Sequence, residues 1–442
     1  MSGATSSPRP PPGRSGLPLV GETLSFLGDI FGFVRQRMDK HGPVFRTHLL
    51  GHPTVILAGP AACELWLDEA IIQRETAFPK SLEALFGGDG ILPLMDGAPH
   101  RERKQLVLHG FDAAAIASYV PELETLFARA LATWSKMPEI RGIEELKKLS
   151  IEGIARTVMG MPEGPELGEL LADYDLVFKA FTGLPVNLPF TAYHAGLGAK
   201  DRILARFGAL VAARQKTPEA DGITRMLAAR TERGEPIASD RLIRELHHVM
   251  LAGYIIFAEL GCMLVELSKR DDLRTRLRAE LSVGSGPFGV AKLHEATLLG
   301  NVVRETKRFC PNVPLSFGRA RKAFDFNGYT IEQGWFVFLA VTENNRFASS
   351  WDDPDAFEPD RFAPPRNEHE RHPHAYVPQG PGPLTFHKCA GADLSTFFMA
   401  AFAAHLVRDY DWSLPEQDLR LQWELVPPEP QDGLRVTFKA RA

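Results

Sequence analysis

The chain has 442 residues, of which 44% are hydrophobic, 9% aromatic and 24% charged, enough apolar material for a large buried core. With 50 Lys and Arg against 55 Asp and Glu, the net charge of -5 supplies no broad positive field for a phosphate backbone, which excludes nucleic acid as an expected partner. The 4 cysteines, Cys63, Cys262, Cys310 and Cys389, are far apart and form no Cys-x-x-Cys pair, so neither a disulfide framework nor a zinc ribbon is indicated and a reducing cytoplasm is the expected location.

Residues 1–14 are rich in Ser, Pro and Arg and hold no apolar stretch. They read as a disordered or extended lead-in, since proline fixes φ and lacks an amide, and not as a signal peptide or membrane anchor. Residues 15–442 are expected to form a single domain, because no repeat and no flexible linker divides them. Two β-prone runs around Gly51-His52-Pro53, from Val44 to Leu57, predict a hairpin. Apolar spacing of three and four then predicts helices over Pro60–Glu69, Ala98–Leu108, Pro121–Lys136 and Ile143–Met159.

The segment Asp240 to Arg270, with Ser239 as its N-cap, is apolar around nearly its whole circumference, which predicts a helix inside the protein. Its longest unbroken apolar run, Val249 to Ala258, is about ten residues, short of the ~18 to 20 that a bilayer requires, so no membrane span is expected. A short helix around Arg304–Phe309, strands near Phe324–Phe326 and Trp335–Val341, a turn-rich stretch from Ser349 to Pro383 and a last helix, Ala392 to Arg408, complete a mainly α pattern with a small β-sheet region.

The sharpest local signal is Gln379-Gly380-Pro381-Gly382-Pro383-Leu384-Thr385-Phe386-His387-Lys388-Cys389-Ala390-Gly391. This Gly/Pro loop delivers a cysteine to the start of a helix, where unpaired amides and the positive end of the dipole favour thiolate, the form that ligates metals or attacks electrophiles. A lone cysteine is otherwise an ordinary small core residue. Upstream, Glu305-Thr306-Lys307-Arg308 places an acid and a guanidinium on one helical face, and Phe357-Glu358-Pro359-Asp360-Arg361-Phe362 offers a second guanidinium. One carboxylate shared by two arginines is a way to satisfy a buried charge.

On these residues the chain resembles the cytochrome P450 family of haem-thiolate monooxygenases over nearly its whole length. The resemblance implies the cytochrome P450 fold and haem b (iron protoporphyrin IX), with Cys389 as the axial iron ligand. It implies a structural triad of Glu305, Arg308 and Arg361, and contacts to the haem propionates from His100, Lys104, Arg319 and His387, with Gly391 leaving room beside the loop. Two departures stand out. The family loop usually reads Phe-x-x-Gly-x-(Arg or His)-x-Cys-x-Gly, whereas here Gly382 stands seven before Cys389 and Thr385 four before it; such a lengthened loop is similar to those of fatty-acid peroxygenases and hydroperoxide-rearranging relatives. In the long helix the family usually shows Ala-Gly-x-(Asp or Glu)-Thr, and this chain has Ala252-Gly253-Tyr254-Ile255-Ile256. Gly253, Ile255 and Ile256 thus occupy the catalytic stretch without the acid and alcohol that hold water and deliver protons.

The segment Gly183 to Tyr193, with Pro79-Lys80-Ser81-Leu82, is similar to relatives that oxidise sterols, retinoids and other isoprenoids. Phe78, Leu85, Phe86, Leu184, Phe190, Ile255, Ile256, Leu315 and Phe317 are expected to line a pocket for a lipophilic small molecule. No Gly-x-Gly-x-x-Gly follows a strand, so electrons are expected from a ferredoxin and ferredoxin reductase, docked on Arg101, Arg103, Lys104 and Lys388, unless peroxide is the oxidant. Three readings stand: a monooxygenase of a terpenoid or other secondary metabolite, a peroxide-dependent peroxygenase or hydroperoxide-rearranging enzyme, and a non-catalytic haem carrier or sensor. Zinc on His369, His372 and His374 with His387 and Cys389 matches no common ligand spacing.

Overall fold

In the computed structural model, which describes residues 9–17, 20–49, 51–282, 286–310 and 312–441, the alternation around Gly51 folds as the expected hairpin. Its strands are Val44–Leu49 and His52–Leu57, with Leu49 opposite His52. Residues 1–8 of the lead-in and residue 50 of the hairpin lie outside the described residues. Pro53 belongs to the second strand and not to the turn; pairing with the next strand starts only at Thr54, so the missing proline amide breaks no ladder bond. A five-stranded sheet follows the order Val44–Leu49, His52–Leu57, Phe336–Ala340, Leu315–Ala320, Ile72–Gln73. Its central strand, Phe336–Ala340, is buried at every position, as an unbroken apolar run requires.

Helices occupy most of the remaining chain, and three segments differ from the sequence expectation by a break or by more than two residues. The helix expected from Pro121 begins at Ala113 and runs to Trp134, because the Asp112 side chain caps the Ala115 amide (2.8 Å); Pro121 costs one helical hydrogen bond without ending the helix. The helix around Arg304 begins at Thr297. The long central segment is two helices, Ser239–Tyr254 and Ile256–Ser268, broken at Ile255, and Ser239 is the first helical residue with Ala238 in the cap position. All-round burial holds for the second of these helices; the first exposes Asp240 and keeps one polar side. Taken together, Ser239–Ser268 is long and apolar enough to cross a membrane, but 67% of its most apolar window is covered by the rest of the chain. A count of unbroken apolar residues understates this length because single polar residues interrupt it.

This interior pair packs on Gly142–Thr157, its first helix also on Ala192–Lys216 and its second on Thr297–Phe309 and Ala392–Asp409, and the last of these meets Ala113–Trp134. Phe127 meets Phe398 and Phe402 edge-on at 4.9 and 5.7 Å. Gly153 sits beneath Phe398, where a Cβ would come within 2.4 Å of the ring, so a side chain there would force the two helices apart.

The expected carboxylate between two guanidiniums is present and fully buried. Glu305 accepts from Arg308 at 2.7 and 2.8 Å and from Arg361 at 3.1 Å. The arginines spend their other N–H groups on the carbonyls of Asn345, Asp352, Asp353, Pro354 and Ala356, and so fold the turn-rich stretch around themselves. Sequence reasoning missed the fourth member, Glu368, which accepts from Arg361 at 2.7 Å and balances the second buried cation.

Burial pushes the Glu368 carboxyl up, but bonds from Arg366, the Asp352 amide and Arg361 outweigh it and hold the group below the usual carboxylate range. Its contribution to stability is therefore complete above the unfolded glutamate pKa of about 4.3 and is lost as pH falls through the lower native value. Glu368→Gln should cost about 3–5 kcal/mol in urea-titrated stability at neutral pH, with a smaller deficit in acid. The exposed Glu370→Gln should stay within about 0.5 kcal/mol. A Glu368 deficit below about 1 kcal/mol would mean that the cluster behaves as a solvated surface pair.

Candidate functional site

The loop from Gln379 to Gly391 turns through Gly380 and Gly382, at φ +92° and +87°, conformations that favour glycine. A Cβ on Gly382 would also come within 2.8 Å of Leu67. The Cys389 amide donates to the Gln379 carbonyl at 2.9 Å, closing the loop on its own first residue. Cys389 then lies half-buried two residues before Gly391, the cap position of helix Ala392–Asp409. Beside Gly391 the nearest neighbour of an added Cβ is the Phe111 ring at 3.7 Å. The other cysteines are placed differently. Burial pushes the Cys63 thiol up to about 12. Cys310 is hydrogen-bonded with Cys262, which together with burial raises its thiol well above the ordinary value.

His387, two residues before Cys389, stacks on His100 with ring centroids 4.1 Å apart, and its Nε2 lies 3.0 Å from Glu69 Oε1. Burial, reinforced by neighbouring cations, holds His100 down to about 4 and His387 to about 3, so both imidazoles are neutral. His100 is 1% exposed, and its Nδ1 has no hydrogen-bond partner.

The other two expected cations do not join this pair in the same way. The Lys104 ammonium donates to the Lys388 carbonyl and so pins the residue before the cysteine. Arg319 donates to the Gly334 carbonyl at 2.9 Å and lies over Phe336. Arg74, which sequence reasoning did not single out, is the guanidinium whose charge acts on both histidines. It is buried, packs on Trp66, lines the same cavity as His387, and carries an unpartnered Nε. No motif surrounds Arg74, so the one available signal was a charged residue inside a short β-prone run.

A sulfur at a helix N-terminus, with two neutral imidazoles, one of them carrying an unpartnered Nδ1, and a guanidinium whose Nε lacks an acceptor while its other nitrogens bond the Ile72 and Trp66 carbonyls, fits a planar metal-bearing group with anionic substituents at one edge. The expected docking face changes too: Lys104 is buried and Arg103 reaches the Gly90 carbonyl and Glu245, which leaves Arg101, itself paired with Glu69, as the more exposed cation of that helix. His369, His372 and His374 do not gather around His387; the ligand-type side chains brought to it are Glu69 and Asp96, which already face Arg101 and Arg321.

Above this cluster lies a cavity of about 420 Å³ walled by Phe78, Leu85, Phe86, Leu315 and Phe317, all expected. Leu184 and Phe190 do not line it; they are 60% and 85% exposed on the surface. The central helix presents His248, Leu251, Ala252 and Ile255 to the cavity, positions that share one face at a spacing of three, four and seven. Ile256 packs in the core, and Gly253 faces Ile154, where a Cβ would come within 2.4 Å. Of the stretch expected to be catalytic, Ile255 alone meets the cavity.

His248 was missed by sequence reasoning, although a polar residue in so apolar a helix was a visible signal. Behind its Nδ1, at 3.7 Å, lies Glu245 Oε2, buried and without a hydrogen-bond partner; the other oxygen of Glu245 accepts from the Leu92 amide at 3.1 Å.

Comparison with known proteins agrees with this geometry. The family model described as Cytochrome P450 matches residues 10–431. A protein of Synechocystis sp. named putative cytochrome P450 120 is 28% identical over 96% of each chain. Abscisic acid 8'-hydroxylase 4 of Arabidopsis thaliana is 25% identical over 97% of this chain and 92% of its own. Among solved structures, retinoic acid-bound cyanobacterial CYP120A1 superposes with a TM-score of 0.90 at 28% identity, covering 99% of this chain and 100% of that one. Ligand-free cytochrome P450 OleT, at 22% identity and a TM-score of 0.82 over 97% of this chain and 99% of that one, shares the fold.

Arg74 and Arg319 give opposite expectations for cofactor retention. Loss of one charge-assisted hydrogen bond is worth about 1.5–3 kcal/mol, or roughly tenfold and upward. Arg74→Met should therefore speed haem transfer to apomyoglobin about tenfold or more, and Arg319→Met less than about threefold. The reverse order would restore the expectation drawn from sequence.

Proposed function

The chain belongs to the cytochrome P450 family of haem b oxidoreductases, and we propose that it inserts oxygen into a lipophilic isoprenoid carrying a carboxylate, with Cys389 as the residue that would hold the iron. The observation that carries this reading is the cavity: aromatic and aliphatic walls, with one imidazole, His248, offered by the central helix. Two similar proteins are named for organic acids, retinoic acid and abscisic acid, and a ligand of that kind matches such a cavity.

When bound, haem b supplies an iron that activates oxygen for insertion into a C–H bond. On this reading His100, His387 and Arg74 hold its anionic edge, and Phe78, Phe86 and Phe317 enclose the apolar body of the substrate and exclude water. With both nitrogens protonated, His248 would face Glu245 through Nδ1–H and donate from Nε2–H to the substrate carboxylate. Ile255 and Ile256 can neither hold water nor carry a proton, so the proton-bearing side chain on this face of the helix is His248. Electrons come from a separate cytoplasmic ferredoxin and its reductase. The absence of an acid and an alcohol at Ile255 and Ile256 favours a second reading, in which peroxide replaces dioxygen and reductant.

One assay addresses both the substrate class and the oxidant: a diterpenoid acid and its methyl ester, each incubated with purified protein under ferredoxin, reductase and dioxygen or under peroxide alone. The first reading expects product under the reductase system, with KM for the ester about tenfold or more above that for the acid, a difference that His248→Leu abolishes. Turnover under peroxide alone would establish the second reading, and equal KM values for acid and ester in the wild type would remove the His248 anchor.

A further inference from the structure

Lys307 stands inside the Glu305-Thr306-Lys307-Arg308 motif, yet it takes no part in the carboxylate–guanidinium cluster. Its side chain leaves the other side of the helix, is 4% exposed, and ends beneath the cysteine loop. There Nζ meets four neutral oxygens: Ser395 Oγ at 2.7 Å, Thr396 Oγ1 at 2.9 Å, and Gln379 Oε1 and the Ala392 carbonyl at 3.2 Å each. Gln379 is also the residue whose carbonyl holds the Cys389 amide, and its own amide donates to Ser395 Oγ at 2.9 Å. One ammonium thus joins the first residue of the loop to the first turn of the helix after it, with Cys389 between them.

The charge itself is not accounted for by these contacts. No carboxylate oxygen lies within ion-pair distance of Nζ among the described residues, and a cation at a helix N-terminus opposes the helix dipole. A buried ammonium needs a compensating negative charge. Burial pushes Lys307 down, and the groups that act the other way are Glu259, Cys389 and Asp393. Glu259, buried on the central helix, is the largest of these, and Asp393 lies on the exposed side of the cysteine helix. The sulfur lies between Gln379 and Ala392, the two residues on either side of it that Nζ itself holds.

We propose that Lys307 is a positioning residue for Cys389: its ammonium clamps both ends of the loop and places a buried positive field behind the sulfur, so that the ligated iron is easier to reduce. This inference rests on the reading of Cys389 as the iron ligand. A thiolate pushes electron density onto iron, and a fixed cation behind it withdraws part of that density. The charge, and not the hydrogen bonds alone, sets the effect.

The test is a dye-mediated reductive titration of substrate-free, haem-loaded protein. Lys307→Gln keeps hydrogen bonding and removes the charge, Lys307→Met removes both, and Lys307→Arg keeps the charge. The neutral variants should shift the one-electron equilibrium about tenfold toward the ferric state, which is about 59 mV more negative, while Lys307→Arg stays within about threefold of wild type. A potential within about twofold of wild type in folded, haem-loaded Lys307→Gln would overturn the proposal. So would an equal shift in Lys307→Arg, which would make the residue merely structural. If Lys307→Met does not fold, the contrast between Gln and Arg still decides. A wild-type electron paramagnetic resonance spectrum without a sulfur-ligand signature would instead remove the ligand reading on which the proposal rests.

Discussion

A single backbone hydrogen bond, from the Cys389 amide to the Gln379 carbonyl, closes the loop on which the proposed chemistry depends. It fixes the sulfur just before a helix N-terminus and does so without enlisting the side chain. The surrounding structure is arranged so that this short closure cannot relax. Lys104 pins the carbonyl of Lys388 from one side, while the Glu305, Arg308, Arg361 and Glu368 cluster gathers the preceding turns into a fixed shape. A site held by supports of this kind keeps its geometry without help from the ligand.

The same economy governs the opposite wall. Tyr254 reaches from the central helix to Asp175 at 2.5 Å and Gly253 packs closely on Ile154, so the helix is anchored on both neighbours next to the point where it breaks, at Ile255. What it turns toward the cavity is apolar except for His248. Ile255 stands on this face beside His248, and a buried carboxylate, Glu245, lies one turn before that imidazole and behind it.

The parts of this design that were legible in the sequence are those with a local signature. The Gly/Pro loop around Cys389, the spacing of Glu305 and Arg308, and the alternation of the hairpin each follow from short-range rules, and each stands where the pattern places it. Glu368, Arg74 and Glu245 were not legible, because their roles arise from partners 7 to 153 residues away or from an unpartnered atom facing a cavity. Leu184 and Phe190 misled for the complementary reason. A local resemblance and an apolar side chain say nothing about which way a loop faces, and both residues lie on the surface. Arg319 has the residue type expected at the cofactor edge, but the sheet register turns it to Gly334.

The central claim is that the sulfur of Cys389 is bound to haem iron. The absorption spectrum of the dithionite-reduced, carbon monoxide-bound protein tests it most directly. The wild type and the Cys63→Ala and Cys262→Ala variants should all show the strongly red-shifted band of a thiolate-ligated haem, and Cys389→Ala should lack it. A red-shifted band that survives in Cys389→Ala, or that is missing from haem-loaded wild type, would contradict the account.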